Sequence, residues 1–211
     1  QNAVEGVFSL PENPAMFDDF TDKSGLNFTH QNLLQVDFKQ QILLPYQLSR
    51  LGPFMAVGDV NGDGLEDAIV GGNYLNPAVL YFQQKNQTFK ASNAQPWNTL
   101  GLYSDMGLCL FDADGDKDLD LFIARGNTNQ PSHASDYQDV IFINDGKGNF
   151  TPATNALPDL TSNGSCVAAA DYDKDGDLDL FVGGRVSPKA YPKPGQSYLF
   201  RNDTKPGQIQ V

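Results

Sequence analysis

Cysteine and histidine are nearly missing from this chain, at two residues each in 211. That scarcity excludes a disulfide-dense small scaffold. Cys109 and Cys166 leave room for one bridge or for two buried free thiols. Neither has a histidine or a base nearby in sequence, so a cysteine nucleophile is not expected. His30 and His133 fall in polar, loop-like stretches and are expected at the surface without a catalytic role. Positive charge is short too, with 14 Lys and Arg against 26 Asp and Glu for a net charge of −12. No basic patch exists to neutralise phosphates, so nucleic acid is not an expected partner. No apolar run approaches the roughly 18 residues of a membrane-spanning helix, so membrane insertion is not expected. No signal-peptide pattern is visible. Gln1 is not an initiator residue, as expected of a processed or trimmed N-terminus.

What the chain does have is aspartate in a pattern. Three nine-residue loops run Asp59-Val-Asn61-Gly-Asp63-Gly-Leu65-Glu-Asp67, Asp112-Ala-Asp114-Gly-Asp116-Lys-Asp118-Leu-Asp120 and Asp171-Tyr-Asp173-Lys-Asp175-Gly-Asp177-Leu-Asp179. They hold 14 of the 26 acids, so the acidity is concentrated rather than spread over a solvated surface. Oxygen-bearing side chains stand at positions 1, 3, 5 and 9 of every loop. A short loop wraps a hard cation in this way, because Ca²⁺ takes six to eight oxygens at about 2.3–2.6 Å in irregular geometry. Position 7 is Leu65 in the first loop and Asp118 and Asp177 in the others, so a backbone carbonyl is the expected ligand there. Position 6 is a glycine except at Lys117, where a different turn, helped by Gly115, is expected.

An EF-hand also begins D-x-[DN]-x-[DN]-G, but it needs a bidentate Glu at position 12, where this chain has Val70, Ile123 and Val182. It also needs flanking helices. The flanks here are short apolar runs, as in strands: 54–57 and 68–70, 108–111 and 121–123, 166–170 and 180–182. A third strand is expected at 78–82, 140–143 and 198–200, then a polar turn and a fourth strand starting at Phe89, Phe150 and Ile209. The first aspartates of the loops are 53 and 59 residues apart. A period near 50 with four strands marks a propeller blade, which buries both faces only when neighbours stack on it. The expected class is therefore all-β, built of four-stranded antiparallel blades. Blade 1 spans 51–97, blade 2 spans 104–157, and blade 3 spans 164–211 with its outer strand incomplete. Residues 1–50 form an N-terminal segment expected to supply an outer strand to another blade, with one extra strand near Ile42-Leu-Leu-Pro45. Rings close with roughly four to eight blades, so further blades in a longer chain, or another copy, are expected to complete this one.

The stretch 51–72 closely resembles the FG-GAP repeat of integrin α-subunit propellers. Asp118-Leu-Asp-Leu-Phe-Ile123 and Asp177-Leu-Asp-Leu-Phe-Val182 resemble the related VCBS-type repeats of secreted bacterial proteins and the cartilage acidic protein family. The resemblance covers residues 51–211 in three copies. It implies a β-propeller with Ca²⁺ at up to three sites: Asp59, Asn61, Asp63, the Leu65 carbonyl and Asp67; Asp112, Asp114, Asp116, the Asp118 carbonyl and Asp120; Asp171, Asp173, Asp175, the Asp177 carbonyl and Asp179. The family's Gly-Ala-Pro is absent, with Gly71-Gly72-Asn73 and Gly183-Gly184-Arg185 in its place.

Five acidic groups in nine residues repel by about 1 kcal/mol per close pair in water, so a cation there stabilises the fold. Extracellular-type sites have Kd near 10⁻⁴–10⁻³ M, which cytosolic calcium cannot fill. An extracellular, cell-surface or periplasmic setting follows. Five Asn-x-Ser/Thr sequons, at Asn27, Asn86, Asn149, Asn163 and Asn202, are equally ordinary turn chemistry. The expected function is a non-catalytic, adhesion-type module that binds a protein or glycan through exposed loops, with Tyr74, Trp97, Tyr103, Arg125, Tyr137, Arg185 and Tyr191 as candidate contacts. The alternatives are a propeller of, or beside, a polysaccharide-degrading enzyme, and a structural segment of a large surface protein. A His, Tyr or Arg cluster around a pocket away from the acidic loops favours the enzyme; a smooth loop face favours the structural segment.

Overall fold

A computed structural model describes residues 15–31, 36–92, 94–98, 103–126, 137–160 and 163–204. Three antiparallel sheets follow one another along the chain. The first runs β1 (Met55–Gly58), β2 (Asp67–Val70), β3 (Val79–Gln83) and β4 (Phe89–Ala91) in spatial order. The second repeats this with β5 (Asp105–Phe111), β6 (Asp120–Arg125), β7 (Val140–Asn144) and β8 (Phe150–Pro152). The third holds β9 (Gly164–Ala170), β10 (Asp179–Gly184) and β11 (Tyr198–Phe200). Its expected fourth strand at Ile209 lies outside the described residues. Each acidic loop joins the first strand of a sheet to the second. The inner strands lie side by side, β1 next to β5 and β5 next to β9, as in an arc of propeller blades.

Side-chain alternation explains the stacking, since neighbouring residues of a strand point to opposite faces. On β6, Leu121 and Ile123 enter a core with Val60, Ile69, Leu80 and Trp97 of blade 1. Between them in sequence, Phe122 and Ala124 enter a second core with Leu180 and Val182 of blade 3. Blade 2 is thus buried on both faces, and Leu121, Phe122 and Phe142 have no exposure. Among the described residues, blade 3 is covered on one face alone. Its β10–β11 pair Phe181↔Leu199 corresponds to Phe122↔Ile141 of blade 2, yet Phe181 is 47% and Leu199 53% exposed.

The N-terminal expectations are corrected. Among the described residues, 17–29 contribute no strand; Thr21–Ser24 form one helical turn that Gly25 ends with φ 79°. Beyond it the chain is fastened to blade 1 by side-chain bonds rather than by a sheet ladder. The Tyr81 hydroxyl donates to Asn27, Asn76 to the Thr29 carbonyl, and Asn73 to the Gln31 carbonyl. No strand forms near Ile42-Leu-Leu-Pro45 either; 3₁₀ turns stand at Asp37–Lys39 and Leu48–Arg50. The fully buried Asp37 carboxylate accepts the Leu48 and Ser49 N–H groups, donors that a strand would give to a neighbour. Leu44 and Leu48 then bury against Val186 and Tyr191 in the β10–β11 connection of blade 3. The N-terminal segment therefore touches both the first blade and the third.

Candidate metal centre

Each loop is shaped by its own carboxylates capturing backbone N–H groups, and the pattern recurs. The position-1 aspartate accepts the position-4 N–H through Oδ1: Gly62 to Asp59 at 2.8 Å, Gly115 to Asp112 at 2.7 Å, Lys174 to Asp171 at 2.6 Å. Its Oδ2 accepts the position-6 N–H from Gly64, Lys117 and Gly176 at 2.8, 3.1 and 3.3 Å. The position-5 Oδ1 accepts from Leu65, Asp118 and Asp177 at position 7. Those oxygens are held towards the loop interior before any ion is considered.

Lys117 overturns the expectation of a different second turn. Its φ is 78°, alongside 82° at Gly64 and 104° at Gly176. The second loop keeps the common turn by holding a lysine in the left-handed region, at about 1–2 kcal/mol. Gly115, at φ 80°, matches Gly62 and Lys174 rather than compensating for Lys117.

The position-9 aspartates do a second job. Asp67, Asp120 and Asp179 are 0–2% exposed. One oxygen of each accepts the position-2 N–H, from Val60, Ala113 and Tyr172. The other accepts the N–H of the residue at or just beyond the end of the third strand, from Gln83, Asn144 and Asn202, at 2.8 Å each. Position 9 thus pins loop to sheet.

Whether these residues suit a cation is tested by what they leave unmade. Oδ1 of Asp118 and Oδ1 of Asp177 are buried with no hydrogen-bond partner. Burial and the charges of Asp116, Asp120 and Asp114 push Asp118 up to about 7. Burial and Asp175 push Asp177 up to about 6. Such crowding is what a divalent ion relieves. Asp112, Asp114 and Asp116 bring ligand oxygens within 4.8 Å of one another, as do Asp171, Asp173 and Asp179. Both clusters can hold a metal ion. Sequence reasoning assigned Asp118 and Asp177 only a carbonyl, because Leu65 stands at that position in loop 1; their carboxylates also stand close enough to Asp116 and Asp175 to feel those charges.

The candidate contacts divide by burial. Trp97 and Tyr137 are 5% and 2% exposed, which corrects their assignment to an exposed face. Trp97 packs between blades, edge-on to Phe142 at 5.3 Å and tilted against Phe150 at 5.4 Å. Tyr191 is half-buried against Leu44 and Leu48, and Arg185 is half-buried with an unpartnered Nε. Tyr74 is exposed, and Tyr103 stacks on the Arg125 guanidinium, 3.9 Å from ring centroid to carbon. This pair sits at the ends of β5 and β6 opposite the acidic loop, where burial raises Asp105 to about 6 and Asp139 to about 7.

Two cavities include neither that pair nor a histidine among their described lining residues. One, of about 700 Å³, lies between blades 2 and 3, and the other, of about 450 Å³, lies between residues 27–31 and blade 1. His30 is half-buried beside Asn73, and burial lowers its pKa; His133 lies outside the described residues. Both cysteines are free, with Cys109 half-buried and Cys166 exposed, so the buried-thiol expectation fails at Cys166. Asn163 is buried, and the amides of Asn149 and Asn202 donate within the fold, whereas Asn27 and Asn86 are exposed.

A family model described as FG-GAP-like repeat matches residues 59–123 and 112–182, one acidic loop to the next. The chain belongs to that family. FG-GAP-like repeats build β-propeller-type modules that are generally structural or binding units rather than catalysts, in keeping with the three stacked sheets. No curated protein matches the chain.

Proposed function

We propose that this FG-GAP-like chain is a calcium-stabilised propeller segment that works outside the cell or at its surface, binding a protein or glycan without catalysing a reaction. The observation that carries this reading is the pair of buried, unpartnered carboxylate oxygens at Asp118 and Asp177, each inside a loop already folded around its own acids. When bound, the ion supplies charge neutralisation. The binding surface is the strand end away from the loops, where Tyr74, Tyr103 and Arg125 stand. The uncovered face of Phe181 and Leu199 supports a further blade packing there, because the matching face of blade 2 is what blade 3 covers.

Calorimetric titration with Ca²⁺ tests the metal reading. Up to three sites are expected, with Kd of about 10⁻⁴–10⁻³ M. At 1 mM calcium a site at the tighter limit stabilises by about 1.4 kcal/mol. No heat of binding and no change in thermal midpoint at millimolar calcium would refute it. A glycan array and a surface-protein panel, probed with the native chain and with Tyr103→Ala, test the binding face. Identical profiles for the two proteins would sink that part.

A further inference from the structure

We infer that Asn144 and Asn202 tether each cation loop to the loop of the preceding blade, so that filling one loop changes the affinity of the next. This rests on the calcium reading and adds a regulation of the same sites. Asn144 ends β7 and is 4% exposed. Its Nδ2 donates to two carbonyls in different blades: Val60 at 2.7 Å, position 2 of loop 1, and Leu119 at 3.1 Å, position 8 of loop 2. Its Oδ1 accepts the Gly148 N–H at 3.0 Å, fixing the amide's orientation. Asn202 repeats the arrangement one blade later, donating to Ala113 at 2.9 Å and Leu178 at 3.4 Å and accepting from Thr204 at 3.0 Å.

These bonds join the position-9 carboxylates into one path. Asp67 holds the Val60 N–H and Asn144 holds the Val60 carbonyl, while the Asn144 N–H is held by Asp120. Asp120 also holds the Ala113 N–H, Asn202 the Ala113 carbonyl, and Asp179 the Asn202 N–H. Three loops are thus connected through single residues, Val60 and Ala113, and two asparagine side chains. An aspartate at either asparagine would set a carboxylate against two carbonyl oxygens. Gln83 stands at this place in blade 1, and its side chain accepts from Glu66 of its own loop while its N–H is held by Asp67; among the described residues its side chain reaches no other loop. Loop 1 is therefore the start of the path. A ligand that repositions one position-9 carboxylate moves backbone atoms in the neighbouring loop, which is the physical content of coupling between sites.

The experiment uses the full chain and follows calcium titrations by amide NMR, with Gly64 reporting loop 1 and Gly176 reporting loop 3. Asp116→Ala removes a position-5 carboxylate of loop 2. In the native background it is expected to weaken calcium binding at loops 1 and 3 by about fivefold or more. With Asn144→Ala added, the effect on loop 1 disappears while the effect on loop 3 remains. With Asn202→Ala, the reverse holds, and this half-buried site serves as the second variant should Asn144→Ala fold poorly. Independent loops in the native chain, or coupling that survives both asparagine changes, would overturn the tether while leaving calcium binding intact. A native chain whose loop glycines ignore calcium overturns the tether and the calcium reading together.

Discussion

Replacing Asp120 by alanine separates the structural role of position 9 from metal binding. The Asp120 carboxylate is fully buried and accepts the N–H groups of Ala113 and Asn144, both at 2.8 Å. Alanine leaves two buried donors without acceptors, at about 1–3 kcal/mol each. The chelated protein should therefore lose about 2–6 kcal/mol, a large part of a net stability of roughly 5–15 kcal/mol. Asp116 provides the comparison: it is exposed and accepts the Asp118 N–H, so Asp116→Ala should cost the chelated protein no more than about 1 kcal/mol. Both changes should abolish calcium binding in loop 2. Urea unfolding in excess chelator and again in millimolar calcium measures each term. Equal stability of the two variants in chelator would refute the assignment of Asp120 to the sheet.

Lys117→Gly relieves a left-handed lysine and should raise the unfolding free energy from urea titration by a few tenths to about 1 kcal/mol; a loss of stability would contradict the strain. Phe122→Ala should cost about 3–5 kcal/mol, whereas Phe181→Ala at the matching site of blade 3 should cost under about 1 kcal/mol, since its side chain is 47% exposed. Comparable losses, read by thermal melting, would mean that the blade 3 face is already packed in solution. Asp139 and Asp105 have folded pKa values of about 7 and 6, above the ordinary 3.8, so the folded state holds their protons more tightly. Their contribution is complete below pH 4 and is lost as pH rises through 6 and 7. In chelator the thermal midpoint should fall between pH 5 and 8, and Asp139→Asn should flatten that decline. A midpoint that rises over this range would refute it.

Most strand positions were legible because each acidic loop fixes a register from which short apolar runs can be counted. The observed strands start or end within a few residues of the expected ones on both sides of every loop. The N-terminal segment was not legible, since the bonds that place it reach blade 1 and blade 3, dozens of residues away, and leave no periodicity. Lys117 was misjudged because a glycine at one position was treated as a requirement rather than a preference; two captured N–H groups on Asp112 hold the turn regardless. Residue type alone suggests a binding surface for Trp97 and Tyr137; burial removes both from it, and the rings of Phe142 and Phe150 show Trp97 to be packing. Asn144 and Asn202 open matching polar turns in the sequence, but the partners of their amides lie in the preceding blade.

In a linear array of repeats, stability is carried from each unit to its neighbour, and an end unit can peel away by itself. Here the Tyr191 N–H is bonded to Gln41 at 3.1 Å, and Leu44 and Leu48 sit against Val186. Residues 27–31 are bonded to blade 1, so the N-terminal segment fastens the first blade and the third to one stretch of chain. Detaching blade 3 therefore also strips the lead-in to blade 1, so the three blades should melt together rather than fray from one end.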